Sequence, residues 1–327
     1  MVTLRIATFN LENLDDLPGA TPSLQERIAL LRPQLLRLRA DVLCLQEVNG
    51  QEQPGQPRAL LALQELLTGT PYANFHLVST RVGGTTDVYN ERNIVVLSRF
   101  PIGQHQQIKN DIVPAPQYRR VTANPPDAAA QSVGWERPIL YARIDLPDGV
   151  PLHVLVLHLK SRIPTDVPGQ KLDTYTWKTS TGWAEGSFLS SMKRVGQALE
   201  ARMRVDELFS ADAGARVLVL GDLNGDLEDV PVKALRGEVE ETGNGKLAPR
   251  VLYPCEASVP DSSRYSLFHH GQGVMFDHVL ASRAMIPFYR GTEVHNELLH
   301  DESIAFATDV KFAESDHAPV VAEFVLP

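Results

Sequence analysis

A chain of 327 residues with 43% hydrophobic side chains can bury a full core as one large α/β domain or two small ones. The formal net charge of -9 argues against a protein that coats nucleic acid by bulk electrostatics, because affinity for phosphate backbones comes mainly from Lys and Arg. It leaves room for a nuclease, since a metal ion supplies positive charge where a scissile phosphate binds.

The chain opens on a strand-like run, Arg5 to Phe9, that ends on Asn10 and Glu12. The run begins almost at Met1, without a basic n-region or an apolar h-region, so the expectation is a cytoplasmic protein if the chain is complete and a secreted one if a signal peptide was removed. Ser23-Leu24-Gln25-Glu26 has the form of a capping box, and Leu24, Ile28, Leu31, Leu35 and Leu38 follow at helical spacing, predicting a helix to about Arg39 that Pro33 should kink. A strand over Val42 to Gln46 follows at once and ends on Glu47, a β-α-β order that favours parallel or mixed pairing. Cys44 lies inside that strand as a small hydrophobe, and with Cys255 the only other cysteine no disulfide framework is implied.

Leu60 to Leu67 reads as a second helix, and Phe75 to Ser79 and Ile94 to Ser98 as strands. Lys109 to Arg137, with Arg119, Arg120 and Trp135 embedded, has no periodicity and reads as a long loop. Ile139 to Leu146 and Leu152 to Leu157 form a predicted strand pair across Pro147-Asp148-Gly149, ending on His158 and Lys160. From there to Gly186 the chain is irregular, and Arg162, Lys171, Tyr175, Trp177, Lys178 and Trp183 interleave basic and aromatic groups that suit stacking on bases and pairing with phosphates. Asp166, Asp173 and Glu185 dilute that charge, so an ordinary surface loop is the competing reading.

Phe188, Met192, Val195, Leu199 and Met203 mark the apolar stripe of a long amphipathic helix. Val217 to Leu220 is a short unbroken apolar run, the mark of a strand buried on both faces, and it stops on Gly221, Asp222 and Asn224. Asp226 to Tyr265 is turn-rich and is expected to wrap a site without building the core. Val274 to Phe276 ends on Asp277 and His278, and Ser315-Asp316-His317 precedes the apolar run from Pro319 to Val325. No run approaches the ~20 apolar residues of a membrane span.

Taken alone, each Asp, Asn or His after a strand is an ordinary turn residue. Their repetition along the chain is better explained by several strand ends converging on one pocket, and no linker interrupts the series, so one domain over 1–327 is expected. Two other readings fail on the page. An EF-hand beginning at Asp222 would need Gly and Glu where Leu227 and Lys233 stand, and a calcineurin-like metallophosphatase would need Gly-Asn-His and further His ligands downstream. His269 and His270 lack matched ligand spacing and read as loop residues.

In order along the chain stand Phe9-Asn10-Leu11-Glu12-Asn13, Leu45-Gln46-Glu47, Leu97-Ser98-Arg99-Phe100-Pro101, His158-Leu159-Lys160-Ser161, Gly221-Asp222-Leu223-Asn224, Phe276-Asp277-His278 and Ser315-Asp316-His317-Ala318-Pro319. This ordered set resembles the endonuclease/exonuclease/phosphatase superfamily, which includes deoxyribonuclease I and exonuclease III, and looks most like its bacterial nuclease-type members. The resemblance implies a four-layer α/β sandwich with two packed mixed sheets and helices outside. It implies Glu47 as main Mg²⁺ ligand, with Mn²⁺ or Ca²⁺ as alternatives, Asn10 beside it, Asp316 contributing and Glu12 in place of a shorter carboxylate. Asp222 and Asn224 would hold the attacking water and a phosphate oxygen, His158 would donate to another oxygen, and Asp277 would orient His317.

The chemistry of a phosphodiester asks for the same parts: positive charge on the non-bridging oxygens and a base near the nucleophile. The base could be the His317-Asp277 pair or Asp222, and a protonated His317 could instead stabilise charge. Lys160 and Arg162 are expected on the substrate, with Arg119, Arg120 and Trp177 or Trp183 as further contacts. The expected activity is metal-dependent hydrolysis of nucleic-acid phosphodiesters by a monomer. The alternatives are a phosphatase or phosphodiesterase for a small phosphorylated metabolite or lipid headgroup, or a binding protein on an inactive fold. The last predicts loss of one of Glu47, Asp222, Asn224, Asp277 or His317, and all five stand.

Overall fold

The computed structural model describes residues 2–308 and 310–327. The strands of the two principal sheets are β1 (Val2–Leu14), β2 (Val42–Val48), β3 (His76–Ser79), β4 (Asn93–Ser98), β5 (Ile102–Ile108), β6 (Ile139–Ile144), β7 (Leu152–His158), β8 (Arg216–Asp222), β9 (Leu252–Pro254), β10 (Asp277–Ser282), β11 (Tyr289–Val294) and β12 (Val320–Leu326). They form two six-stranded mixed sheets, ordered β11-β12-β1-β2-β4-β3 and β9-β10-β8-β7-β6-β5. Each sheet contains one central parallel pair, β1 with β2 and β7 with β8, and is otherwise antiparallel.

Alternation along the strands sorts the core into layers. Ile6, Val42 and Cys44 of one sheet meet Val154, Leu218 and Leu220 of the other in a shared inner core. Their neighbours face outward: Phe9, Leu43 and Leu45 pack on helices α1 (Leu24–Leu38) and α2 (Leu61–Leu67). Leu155, Val217 and Val219 pack on α3 (Ser180–Ala211) and α4 (Val230–Arg236). The result is the four-layer α/β sandwich, and both strand faces are apolar because both are covered.

Local chemistry explains where elements begin. Ser23 and Glu26 form the reciprocal capping box, and α1 continues through Pro33 to Leu38. At Gly221 the backbone takes φ +134, and an added Cβ would stand 1.9 Å from the Leu157 carbonyl oxygen, so only glycine lets β8 approach β7 just before Asp222.

Four expectations are corrected. Helix α3 starts at Ser180, inside the stretch read as irregular to Gly186. Over residues 182–203 the stripe is inverted: Phe188, Leu199 and Met203 are exposed, while Gly182, Gly186, Ser190, Gln197 and Ala198 are buried. The reason is the segment Lys109 to Arg137, which lies on that face: Trp135 is buried and donates to Glu200, whose carboxylate also accepts from the backbone of Asn110, Ile112 and Val113. Small residues such as Gly196 make room for the Trp135 ring.

The turn-rich stretch 226–265 does build core, through Val232 and Leu235 of α4 and through β9, which extends the second sheet. Finally, Asp277 opens its strand and does not end one. Among the described residues no helix is long and apolar enough to cross a membrane.

Candidate active site

The two parallel pairs aim their carboxyl ends at one edge of the sandwich. Asn10 and Glu47 arrive from β1 and β2, and His158 and Asp222, register partners, from β7 and β8. Strands antiparallel to these bring their amino ends to the same place: Asp277 opens β10 opposite Asp222, and Ser315 to His317 lead into β12 beside β1. The outcome is a cleft of about 500 Å³ lined by Asn10, Glu12, Glu47, His158, Arg162, Asp222, Asn224, Asp316 and His317, with Asp277 buried behind His317.

Asp222 is the most tightly held group. Its carboxylate accepts from the Asn224 backbone at 2.8 Å, from Asn224 Nδ2 at 3.0 Å and from Asn10 Nδ2 at 3.1 Å. Burial raises its pKa to about 7, with the Asp277 and Glu47 carboxylates adding to the rise and His317 and the Asn224 hydrogen bond opposing it.

His317 Nδ1 sits 2.7 Å from Asp277 Oδ2, and its Nε2 is 3.9 Å from Asp222. Burial opposes charge on this ring, but the Asp277 and Asp222 carboxylates outweigh it and raise its pKa well above the usual value, so His317 is an imidazolium at neutral pH. His158 is the reverse case. Its Nε2 lies 3.5 Å from Glu47 and 3.4 Å from Asp222, yet complete burial, reinforced by Arg137 and His317, holds it neutral.

Glu47, Glu12 and Asp316 form the acidic side. Glu47 accepts from the Asn13 backbone at 3.1 Å, and Glu12 from the Asp316 backbone at 3.1 Å. Glu12, Asn13, Glu47 and Asn224 all hold left-handed backbone conformations, φ 46, 51, 57 and 49, a conformation uncommon for residues other than glycine and concentrated at functional sites. Burial, with Glu12 and Glu47 close by and only His317 opposing, pushes the Asp316 pKa well above the carboxylate range, and its buried Oδ1 has no hydrogen-bond partner. An orphaned carboxylate oxygen among other carboxylates is what a hard divalent cation would satisfy, and the all-oxygen donor set suits Mg²⁺, Mn²⁺ or Ca²⁺.

Asp222, Asp277 and His317 also bring ligand-type atoms within 4.8 Å of one another. There, however, the ring is protonated and hydrogen-bonded, and a metal-ligating imidazole must be neutral. The Glu47 and Asp316 side fits a cation better.

Two substrate-contact expectations change. Lys160 does not line the cleft: its Nζ donates to Ser161 Oγ and to the Ile163 carbonyl, and burial lowers its pKa to about 8. Arg162 does line it, but its charge is answered by Asp226 and Asp229 at 3.2 and 2.5 Å, and it lies on the Phe276 ring. Arg119 and Arg120 are held by Asp127, Trp177 packs with Lys171, and Trp183 is exposed on α3, all outside the cleft lining. His269, read as a loop residue, does line the cleft and pairs with Glu302 at 2.6 Å. His278 is fully buried between Glu256 and the Gly225 carbonyl.

The positive groups missed from the sequence are Arg92 and Arg137, both in the cleft wall. Arg92 directly precedes β4, and Arg137 stands two residues before β6. Each of those strands runs antiparallel to a ligand-bearing strand, so the amino end reaches the site. Reading basic residues before strands as well as acidic ones after them would have found both.

The sequence profile of the Endonuclease/Exonuclease/phosphatase family matches residues 7–317. The chain belongs to this family. The family consists of phosphoester hydrolases that commonly use divalent metals. No curated protein matches the sequence. Among solved structures, the fold is similar to truncated Caenorhabditis elegans TDP2, at TM-score 0.58 and 16% identity over 99% of this chain and 98% of that one. It is also similar to a mannosyl-6-phosphatase of Bacteroides thetaiotaomicron, at TM-score 0.59 and 16% identity over 99% and 100%. A third is a Neisseria 3′ phosphatase bound to a product DNA hairpin, at TM-score 0.54 and 17% identity over 99% and 100%. At these identities the family members share the sandwich, and substrates are decided by the lining of each cleft.

Proposed function

We propose that this chain is a divalent-metal-dependent phosphodiesterase acting on nucleic acid, with a preference for accessible strands. The observation that carries the reading is the division of one cleft into three functions: a carboxylate seat at Glu47, Asp316 and Glu12, a proton-handling group at Asp222, His317 and Asp277, and positive charge at Arg92 and Arg137. A metal-assisted attack of water on a phosphate needs all three.

In this reading Glu47 and Asp316 would hold the cation, with Glu12 and Asn10 orienting them. When bound, the cation supplies positive charge to a non-bridging phosphate oxygen. Asp222, with a pKa near neutrality, takes the proton of the attacking water. Asn10 and Asn224 fix that carboxylate by hydrogen bonds. Imidazolium His317, oriented by Asp277, donates to the phosphate as negative charge builds on it, the P–O bond opposite the attacking water breaks, and the departing alkoxide takes a proton from solvent. Neutral His158 and the guanidinium of Arg137 face the same region.

A second reading, a phosphomonoesterase for a small metabolite, is favoured by the two arginines, which suit a dianion, and by the phosphatases among the similar structures. One experiment separates them: a Mg²⁺ and Mn²⁺ titration on single- and double-stranded DNA, RNA, an aryl phosphodiester and phosphomonoesters. Metal-dependent cleavage of oligonucleotides is expected. Robust monoester hydrolysis with negligible oligonucleotide cleavage selects the second reading, and activity unchanged by excess chelator overturns the metal assignment.

A further inference from the structure

A second cleft, of about 700 Å³, opens beside the first and shares Glu12 and Asn13 with it. Its size falls in the range of small-molecule sites. Two walls face each other: the end of β1 with the turn before α1, and the segment leading to Asp316. Arg27 joins them, buried, donating to the carbonyls of Leu11 and Glu12 on one side at 2.7 and 2.9 Å and of Ala313 on the other at 3.3 Å. A buried guanidinium spent wholly on carbonyls of both walls fixes the width of the opening.

The lining is aromatic and basic. His300 and Phe312 are stacked, ring centroids 3.9 Å apart and planes 20° from parallel, with Tyr175 and the exposed Lys311 in the same cleft. The Nδ1 of His300 is buried without a hydrogen-bond partner, its carboxylate neighbour Glu314 standing 3.5 Å away. Of the aromatic residues in the basic-aromatic stretch, Tyr175 lines this cleft, whereas Trp177 and Trp183 line neither cleft.

We propose that this cleft binds the nucleotide adjoining the scissile linkage of a single-stranded nucleic acid, its base against the Phe312 and Tyr175 side chains and its phosphate at Lys311. The inference rests on the phosphodiesterase reading above. Aromatic faces bind bases of any sequence, but only bases that are unpaired, and a lysine at the mouth supplies a phosphate contact without sequence preference. The shared Glu12–Asn13 edge puts the strand in position to pass from one cleft to the other.

The test measures metal-dependent kcat/KM on short oligothymidylates and on the same oligomers with the residue on one or the other side of the linkage made abasic. Filling the second cleft should raise kcat/KM by about tenfold, the scale of one base–aromatic stack. An abasic neighbour, Phe312→Ala or Lys311→Glu should each remove most of that gain, with circular dichroism melts confirming that the variants fold. Lys311→Glu should also flatten the salt dependence by about one unit of slope. A wild type indifferent to the neighbouring base, or variants that keep the full gain, overturn the second cleft while leaving the phosphodiesterase intact. If no linkage is cut and phosphomonoesters are, the phosphodiesterase reading fails and the nucleotide occupant with it.

Discussion

At the scale of single residues, the site is a set of groups whose charge is decided by burial against neighbours. In the proposed function Glu47 would carry the metal side, and its isostere Gln keeps the volume and loses the charge. Glu47→Gln should therefore raise the Mg²⁺ concentration for half-maximal activity by ~10-fold to 100-fold or more, while the unfolding midpoint holds; an unchanged metal dependence counts against its role. The His317–Asp277 pair should behave as one unit. Asp277→Asn and His317→Ala should each lower kcat by ~10²-fold or more, and the double variant should lose little beyond either. Losses that multiply would mean that the 2.7 Å contact does no joint work in the reaction. The identities of these residues were legible in the sequence, because each stands beside an apolar run. Their protonation was not: a neutral His158 follows from complete burial near Arg137 and His317, and a charged His317 from the Asp277 and Asp222 carboxylates, which outweigh its burial.

At the scale of elements, the loop after β8 is pinned from behind. His278 Nδ1 lies 2.6 Å from Glu256 Oε1 and its Nε2 2.8 Å from the Gly225 carbonyl, next to Asn224. Burial works against charge on His278, and Glu256 together with the Gly225 hydrogen bond overcomes it, so the folded pKa lies above the unfolded value of roughly 6.5. A raised pKa means stabilisation that is complete below that unfolded value and is lost as pH rises through the folded one. Urea midpoints measured upward from pH 6 should fall for the wild type and fall less for His278→Gln; parallel curves would remove His278 from the account. This element relation was invisible to periodicity, which took His278 as part of the site cluster. The inverted stripe of α3 has the same origin: spacing reports that a helix has an apolar side, but the segment around Trp135 chose to cover its small-residue side instead.

At the scale of the whole molecule, a net charge of -9 leaves positive potential to the cleft and its rim. With metal withheld, contacts to phosphate reduce to a few groups such as Arg92, Arg137 and Lys311. Binding to a duplex should then be weak, with a slope of log affinity against log salt no steeper than about -3, since each neutralised phosphate contributes about -0.9. A slope near twice that value, or tighter binding to duplex than to single strand, would show a basic surface outside the two clefts.

By itself the sequence marked most of the strands and helices and the acidic, Asn and His side chains at strand ends, while the layered order came with the family resemblance. Those depend on local alternation, on apolar runs buried on both faces, and on polar residues at strand ends, all of which are written in consecutive positions. Only the tertiary structure decided that Arg92 and Arg137 belong to the cleft, that Lys160 does not, and that Arg162 is already paired. Strand direction is the physical reason. Antiparallel neighbours carry their amino ends to the edge where parallel pairs carry their carboxyl ends, and sheet pairing is fixed by contacts between residues far apart in the chain.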